Sequence, residues 1–246
     1  MNTSWFESWF NSPYYHILYQ HRDDKEAELF IEHLYQLLNI RPQHTILDLA
    51  CGAGRHAIYM ASKGNNVMGI DLASNSIKDA NFKAREKGLS EKLHFQVEDM
   101  RHFDLNRTFD FIFNLFTSFG YFENKEDNLK VLNCAKKHLK ENGVLVIDYL
   151  NSQLVRAKGE ESYTKTISGI EFSIQKYFED DFVIKEIKIN DQETIFQYRE
   201  QVQLFDAAEI QDMLENIGFQ VIHHFGDYQL EQYKIDSLRS IIVARV

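Results

Sequence analysis

Three aspartates and a pair of glycines carry the chemistry this sequence suggests. Asp48 sits in the short apolar run Ile46-Leu47-Asp48-Leu49, which leads straight into the turn Ala50-Cys51-Gly52-Ala53-Gly54 and a helix opening near Arg55. Asp71 ends the run Asn66-Val67-Met68-Gly69-Ile70-Asp71, and Asp99 ends Leu93-His94-Phe95-Gln96-Val97-Glu98-Asp99. A strand, a glycine turn and a helix make a nucleotide-type cradle, because glycine allows the tight turn and lets a ligand reach the backbone amides. Gly52-Ala53-Gly54-Arg55-His56-Ala57 also satisfies the loose dinucleotide pattern G-x-G-x-x-G/A, so the glycines alone leave the ligand open. The acids narrow it. Three parallel strands would deliver them to one edge of an open α/β sheet, where ligands bind. A pyrophosphate is poorly matched to such an edge, whereas a ligand carrying an ammonium, a sulfonium and ribose hydroxyls suits it.

On these residues the chain resembles the class I S-adenosylmethionine-dependent methyltransferases, over roughly residues 45 to 150. The resemblance implies that Gly52 and Gly54, with Ala50, form the turn beneath the methionine moiety, and that Asp48 lies near its ammonium. It implies that Asp71, followed by Leu72, takes the ribose hydroxyls, and that Asp99 with Met100 sits at the adenine. Asn114 and Leu115, ending the run Phe109-Asp110-Phe111-Ile112-Phe113, correspond to the segment that meets the ammonium and faces substrate. Cys51 stands where members of that family vary freely.

The elements that must position these residues follow in order. Residues 1–40 are rich in aromatics, and Asp23 with Glu26 forms a capping box opening a helix through Leu29, Phe30, His33, Leu34, Leu37 and Leu38. Tyr14, Tyr15 and Arg22 are either core or, as the resemblance implies, part of a lid in which Tyr15 and Arg22 reach the cofactor and Tyr14 the substrate. Residues 41–155 alternate strand and helix, the pattern of a parallel sheet. Here Gly64 stops the helix from Arg55 to Lys63, Ser74 or Ser76 caps a second, and Asn124 caps a third reaching Lys140 and Glu141. Residues 156–204 read as an antiparallel β insert with runs at Ile170 to Phe178, Phe182 to Ile189 and Thr194 to Phe205. Residues 205–246 supply a helix opened by Asp206 and Glu209, then two strands, Phe219 to Phe225 and Ser237 to Val246. The expected fold class is therefore α/β: a Rossmann-like, mostly parallel methyltransferase sheet closed by an antiparallel terminal hairpin, with an aromatic helical N-terminal arm and a small β insert. The insert, the arm and the loop Asn114-Leu115-Phe116-Thr117-Ser118-Phe119-Gly120 are similar to those of small-molecule N-methyltransferases.

Composition excludes more than it identifies. The 246 residues carry a formal net charge of -10 and no basic stripe of the kind phosphate backbones need, which argues against nucleic acid as substrate. Two cysteines outside any C-x-x-C pattern suit a reducing compartment, and the lack of a signal-like start or an apolar span makes the expected location the cytoplasm, away from the membrane. No metal is expected, because His223 and His224 are adjacent on a strand and point to opposite faces. His56 and His102 read as helix or loop surface. Ser118, Tyr121, Tyr149 and Asn151 fall at strand C-terminal ends, where they either face substrate or satisfy local backbone; no catalytic base is assigned. The expected activity is methyl transfer to a small-molecule acceptor, an amine by the narrower resemblance. An NAD-dependent dehydrogenase and a non-catalytic S-adenosylmethionine-binding module are the competing readings. The oligomeric state stays open, a homodimer included.

Overall fold

The computed structural model describes residues 4–20 and 24–246, Asp24 by its backbone alone. Arg22, and the Asp23 half of the expected capping box, lie outside the described residues. Two short helices, α1 (Trp5–Phe10) and α2 (Pro13–Leu18), are followed by α3 (Asp24–Leu37). Glu7 accepts from the Ser4 amide at 3.2 Å, and the Ser12 hydroxyl accepts from the Tyr14 amide, with Pro13 supplying a backbone already set for the first helical turn.

The core then alternates β1 (Thr45–Leu49), α4 (Arg55–Ser62), β2 (Asn66–Asp71), α5 (Ser74–Glu86), β3 (Leu93–Val97), β4 (Phe109–Asn114), α6 (Lys125–Lys137) and β5 (Leu139–Leu150). After α7 (Ser152–Lys158) come β6 (Glu161–Ile167), β7 (Ile170–Glu179), β8 (Phe182–Asp191) and β9 (Thr194–Gln203), and the chain closes with α8 (Ala207–Asn216), β10 (Gln220–Phe225) and β11 (Arg239–Arg245). The central sheet has the order β10-β11-β5-β4-β1-β2-β3, parallel from β3 to β5 and antiparallel through β11 and β10. Strand order reverses between β1 and β4, and the crevice that such a reversal opens lies outside the strands' carboxyl ends.

Period-two alternation divides the apolar residues between the faces of the sheet. Ile46, Phe111, Phe113, Val144 and Val146 pack with Phe30, Ile31 and Leu34 of α3 and Ala57 and Met60 of α4. Leu47, Leu49, Ile112, Leu145 and Ile147 pack on the other face with Val131, Leu132, Ile210 and Met213 of α6 and α8. A third cluster joins Trp9, Tyr14 and Leu18 of the arm to Phe172, Ile174, Ile187 and Ile189 of the second, four-stranded antiparallel sheet β6-β7-β8-β9.

The structure refines several expected boundaries. The insert has four strands rather than three; β6 escapes notice because it is exposed along almost its whole length, so nothing selects for apolar alternation. The helix from Asn124 ends at Lys137, and β5 starts at Leu139, which pairs with Phe109 before a break in register brings Val144 opposite Phe111. Neither Ser74 nor Ser76 caps α5. Its cap residue is Ala73, and the Asp71 carboxylate accepts the Ala73 amide at 2.8 Å in place of a capping hydroxyl. The capping box at Asp206 and Glu209 is present, each side chain accepting the other's backbone amide at 2.8 Å.

Candidate active site

At the carboxyl ends of β1, β2 and β3 the chain leaves a crevice of about 670 Å³ of empty space, its open mouth included. Its floor and rim come from Ala50, Gly52, Ile70, Asp71, Leu72, Ser76, Glu98, Asp99 and Met100, and its roof from Phe6, Phe10, Tyr15, Ser118, Tyr121 and Phe122. Of the residues expected to hold a cofactor, the crevice brings together Tyr15, Ala50, Gly52, Asp71, Leu72, Asp99 and Met100; of those expected to face substrate, it gathers Ser118 and Tyr121.

Each element places its residue for a physical reason. Gly52 adopts a φ of +53° and a Cβ added there would point into open space, so the backbone itself forms the crevice floor. Packing also requires glycine at position 54: at φ +79° Gly54 begins α4, and an added Cβ would come within 2.5 Å of the Phe95 ring. Asp71 accepts the Gly52 amide at 2.7 Å through one oxygen and the Ala73 amide through the other. It therefore fastens the glycine turn to the start of α5, and each oxygen keeps a lone pair for a ligand hydroxyl. Burial pushes its carboxyl above the usual range, and the backbone amides of Ala73, Gly52 and Leu72 counter that. Asp99 is gripped by Arg101, whose guanidinium comes within 2.6 Å and whose amide donates at 2.9 Å. Against the penalty of partial burial, Arg101 holds the Asp99 carboxyl below its ordinary value. Arg101 also pairs with Asp127 at 3.0 Å and lies 4.5 Å from the Phe122 ring centre, tying β3's exit to α6 and the roof.

Other expected site residues lie outside the crevice lining. Asp48 is 1% exposed and accepts the Ala57 amide at 3.1 Å; burial, with Asp71 nearby, pushes its carboxyl up to about 7. Asn114 is buried, donating to the Leu49 carbonyl at 2.9 Å while its Oδ1 has no partner among the described residues. Leu115 is buried in the core cluster with α3 and α4. Three of the substrate-facing candidates take the other reading, core or backbone partner. Tyr14 points into the arm–insert core and donates to Asp191 at 2.9 Å, because neighbours on a helix project about 100° apart and Tyr15 takes the crevice side. Tyr149 is fully buried and donates to the Gln203 carbonyl, and Asn151 caps α7 while donating to Ile235 and Ser237 at 2.9 and 2.8 Å. His56, expected on the surface, is buried, and desolvation beside Arg55 lowers its imidazole to about 3; His102 is exposed.

Phe6, Phe10, Ile70, Ser76, Glu98 and Phe122 line the crevice beyond the residues expected there. The available signal was the four-residue spacing of Phe6 and Phe10, which puts both on one face of α1. The rings form a packed set: Trp5 to Phe10 at 5.8 Å, Phe10 to Tyr15 at 5.0 Å, Phe10 to Tyr121 at 5.4 Å and Phe6 to Phe122 at 5.7 Å between centres. Behind the roof, Phe116 and Thr117 both adopt positive φ, 66° and 60°. Asp148 accepts the Phe116 amide at 2.8 Å and pairs with Arg239 at 2.7 Å, and Arg239 donates to the Thr117 hydroxyl at 2.8 Å. The buried pair holds this strained turn.

The crevice lining contains three carboxylates, Asp71, Glu98 and Asp99, and no lysine or arginine among the described residues. Such a set repels a pyrophosphate and fits the cationic and hydroxyl groups of S-adenosylmethionine. Residues 40–203 match the family described as methyltransferase domain. The chain belongs to that family. The methyltransferase is 26% identical over 191 residues to the putative methyltransferase YqeM of Bacillus subtilis (strain 168), covering 74% of this chain and 76% of that protein. It is also 26% identical over 230 residues to a glycine/sarcosine N-methyltransferase of Aphanothece halophytica, covering 91% and 83%. Its fold is similar to that of an S-adenosylmethionine-dependent methyltransferase from Clostridium acetobutylicum ATCC 824, with a TM-score of 0.83 at 23% identity over 95% and 96% of the two chains. The cofactor of the methyltransferase is S-adenosylmethionine. No group of three or more His, Cys, Asp or Glu among the described residues could hold a metal ion, and no described helix is long and apolar enough to cross a membrane.

Proposed function

We propose that this methyltransferase moves a methyl group to the nitrogen of a small-molecule amine. The observation that carries this is a second chamber behind the cofactor crevice, sharing with it one wall of Phe10, Tyr15 and Tyr121. A donor in the crevice and an acceptor in the chamber meet at that wall. When bound, S-adenosylmethionine supplies an electrophilic methyl carbon that an amine lone pair takes in line, the carbon–sulfur bond breaking with its electron pair left on sulfur. Positive charge is present throughout, first on sulfur and then on nitrogen, and aromatic faces stabilise a cation without competing as nucleophiles. Gly52, Asp71 and Asp99 bind and orient the donor; Phe6, Phe10, Tyr15 and Phe122 exclude water, so that alignment rather than a dedicated base carries the rate. The similarity to a glycine/sarcosine N-methyltransferase supports a nitrogen acceptor.

The test is to follow methyl transfer from labelled S-adenosylmethionine to matched panels of primary amines and hydroxyl compounds, identifying products by mass. Methylated amines are the expected result. Methylated hydroxyls with every amine untouched would overturn the nitrogen assignment, and cofactor binding with no product from either panel would favour the non-catalytic reading.

A further inference from the structure

The second chamber differs from the first in charge. It holds about 1160 Å³ of empty space, its open side included, between the core's β5–β11 edge and the insert. Its lining includes Lys158, Lys176, Lys185 and Arg239 against two carboxylates, Glu161 and Glu200. This excess runs against a chain whose net charge is -10. Three of the cations have carboxylate partners: Lys176 lies 3.3 Å from Glu161, Lys185 3.3 Å from Glu200, and Arg239 2.7 Å from Asp148. Lys158 is exposed and makes no ion pair among the described residues. Glu200 is already committed, accepting Trp9 Nε1 at 2.7 Å and the Tyr19 hydroxyl at 2.6 Å. Trp5 belongs to the same lining, and its Nε1–H is buried without a partner among the described residues. Cations, an orphan donor that packs against the aromatic wall at Phe10 and Tyr121, and the wall itself share one lining, which suits a ligand with an anionic end and a nitrogen end.

We propose that the chamber binds the methyl acceptor through an anionic group, a phosphate or a carboxylate, set against Lys158, Lys176, Lys185 and Arg239 while the amine lies at the wall of Phe10, Tyr15 and Tyr121. This rests on the reading of the chamber as the acceptor site. The charge split of the two cavities explains how one fold sorts its two ligands: the acidic crevice repels an anionic acceptor, and the cationic chamber repels a sulfonium.

The test is calorimetric titration of the full chain with pyrophosphate and, separately, with succinate, each with and without S-adenosylhomocysteine. At least one anion should bind, more weakly as salt rises, with affinity falling tenfold or more in Lys158→Gln or Lys185→Gln and returning in Lys158→Arg. Pyrophosphate binding alone identifies a phosphate end, and succinate binding alone a carboxylate end. No binding of either at millimolar concentration, or binding that both glutamine variants leave unchanged, overturns the proposal. Lys158→Gln changes an exposed side chain and keeps the test decisive if Lys185→Gln fails to fold. Methyl transfer from labelled S-adenosylmethionine to the amine panel is scored separately on the same preparation, so loss of the methyl-transfer reading is distinguished from loss of the anion site.

Discussion

Because both oxygens of Asp71 accept backbone amides, from Gly52 and Ala73, replacing this residue disturbs the turn as well as the ligand. Asp71→Ala should weaken S-adenosylmethionine binding by about 2 kcal/mol and also lower the melting temperature of the free protein, since two amides lose a charged acceptor. Calorimetry and thermal melts of the same preparation check both; an unchanged melt would mean that the turn holds without the carboxylate. Asp48 makes a different prediction. Its folded-state carboxyl, raised to about 7, lies above the ordinary value of 3.8, so its contribution to stability is full below pH 4 and is lost as pH rises through 7. Relative to Asp48→Asn, the wild type should therefore lose stability between about pH 4 and pH 7, by up to a few kcal/mol. Denaturant melts across that window measure it, and parallel curves for the two proteins would mean that Asp48 titrates normally.

At the scale of elements, the arm and the insert stand as one unit because Trp9 is fully buried between them and donates to Glu200. Trp9→Ala should cost about 3–5 kcal/mol and release α1 from the insert sheet. Phe10→Ala should leave the arm seated, since Trp9, Tyr14 and Leu18 carry that contact, yet open the wall between crevice and chamber; weaker cofactor binding with a small change in melting temperature is the expected pattern. These elements also show what sequence can and cannot reveal. The α/β core was legible because apolar runs end in Asp71 and Asp99 and because Gly52 and Gly64 punctuate the helices. The roof was less so: Tyr14 and Tyr15 look equivalent as letters, and their helical separation decides which meets the crevice. Tyr149 and Asn151 occupy a strand end, the right place for contact with substrate, but the insert and the β10–β11 connection supply the carbonyls that claim them. Contacts between residues fifty to ninety positions apart leave no local pattern to read.

Across the whole molecule, the sheet reversal between β1 and β4 fixes where ligands enter, and the arm and insert then divide that space into an acidic crevice and a cationic chamber. The crevice's three carboxylates were anticipated in Asp71 and Asp99 but not in Glu98; the chamber's cations come from four separate elements, which is why no basic run marks them in the sequence. This division places the whole account on one property, the preference of the crevice for a cationic nucleoside over an anionic dinucleotide. Parallel calorimetric titration of the full chain with S-adenosylmethionine and NAD tests it most directly. Saturable micromolar binding of S-adenosylmethionine with no heat from NAD is the predicted result. Binding of NAD with none of S-adenosylmethionine would contradict the assignment of the crevice.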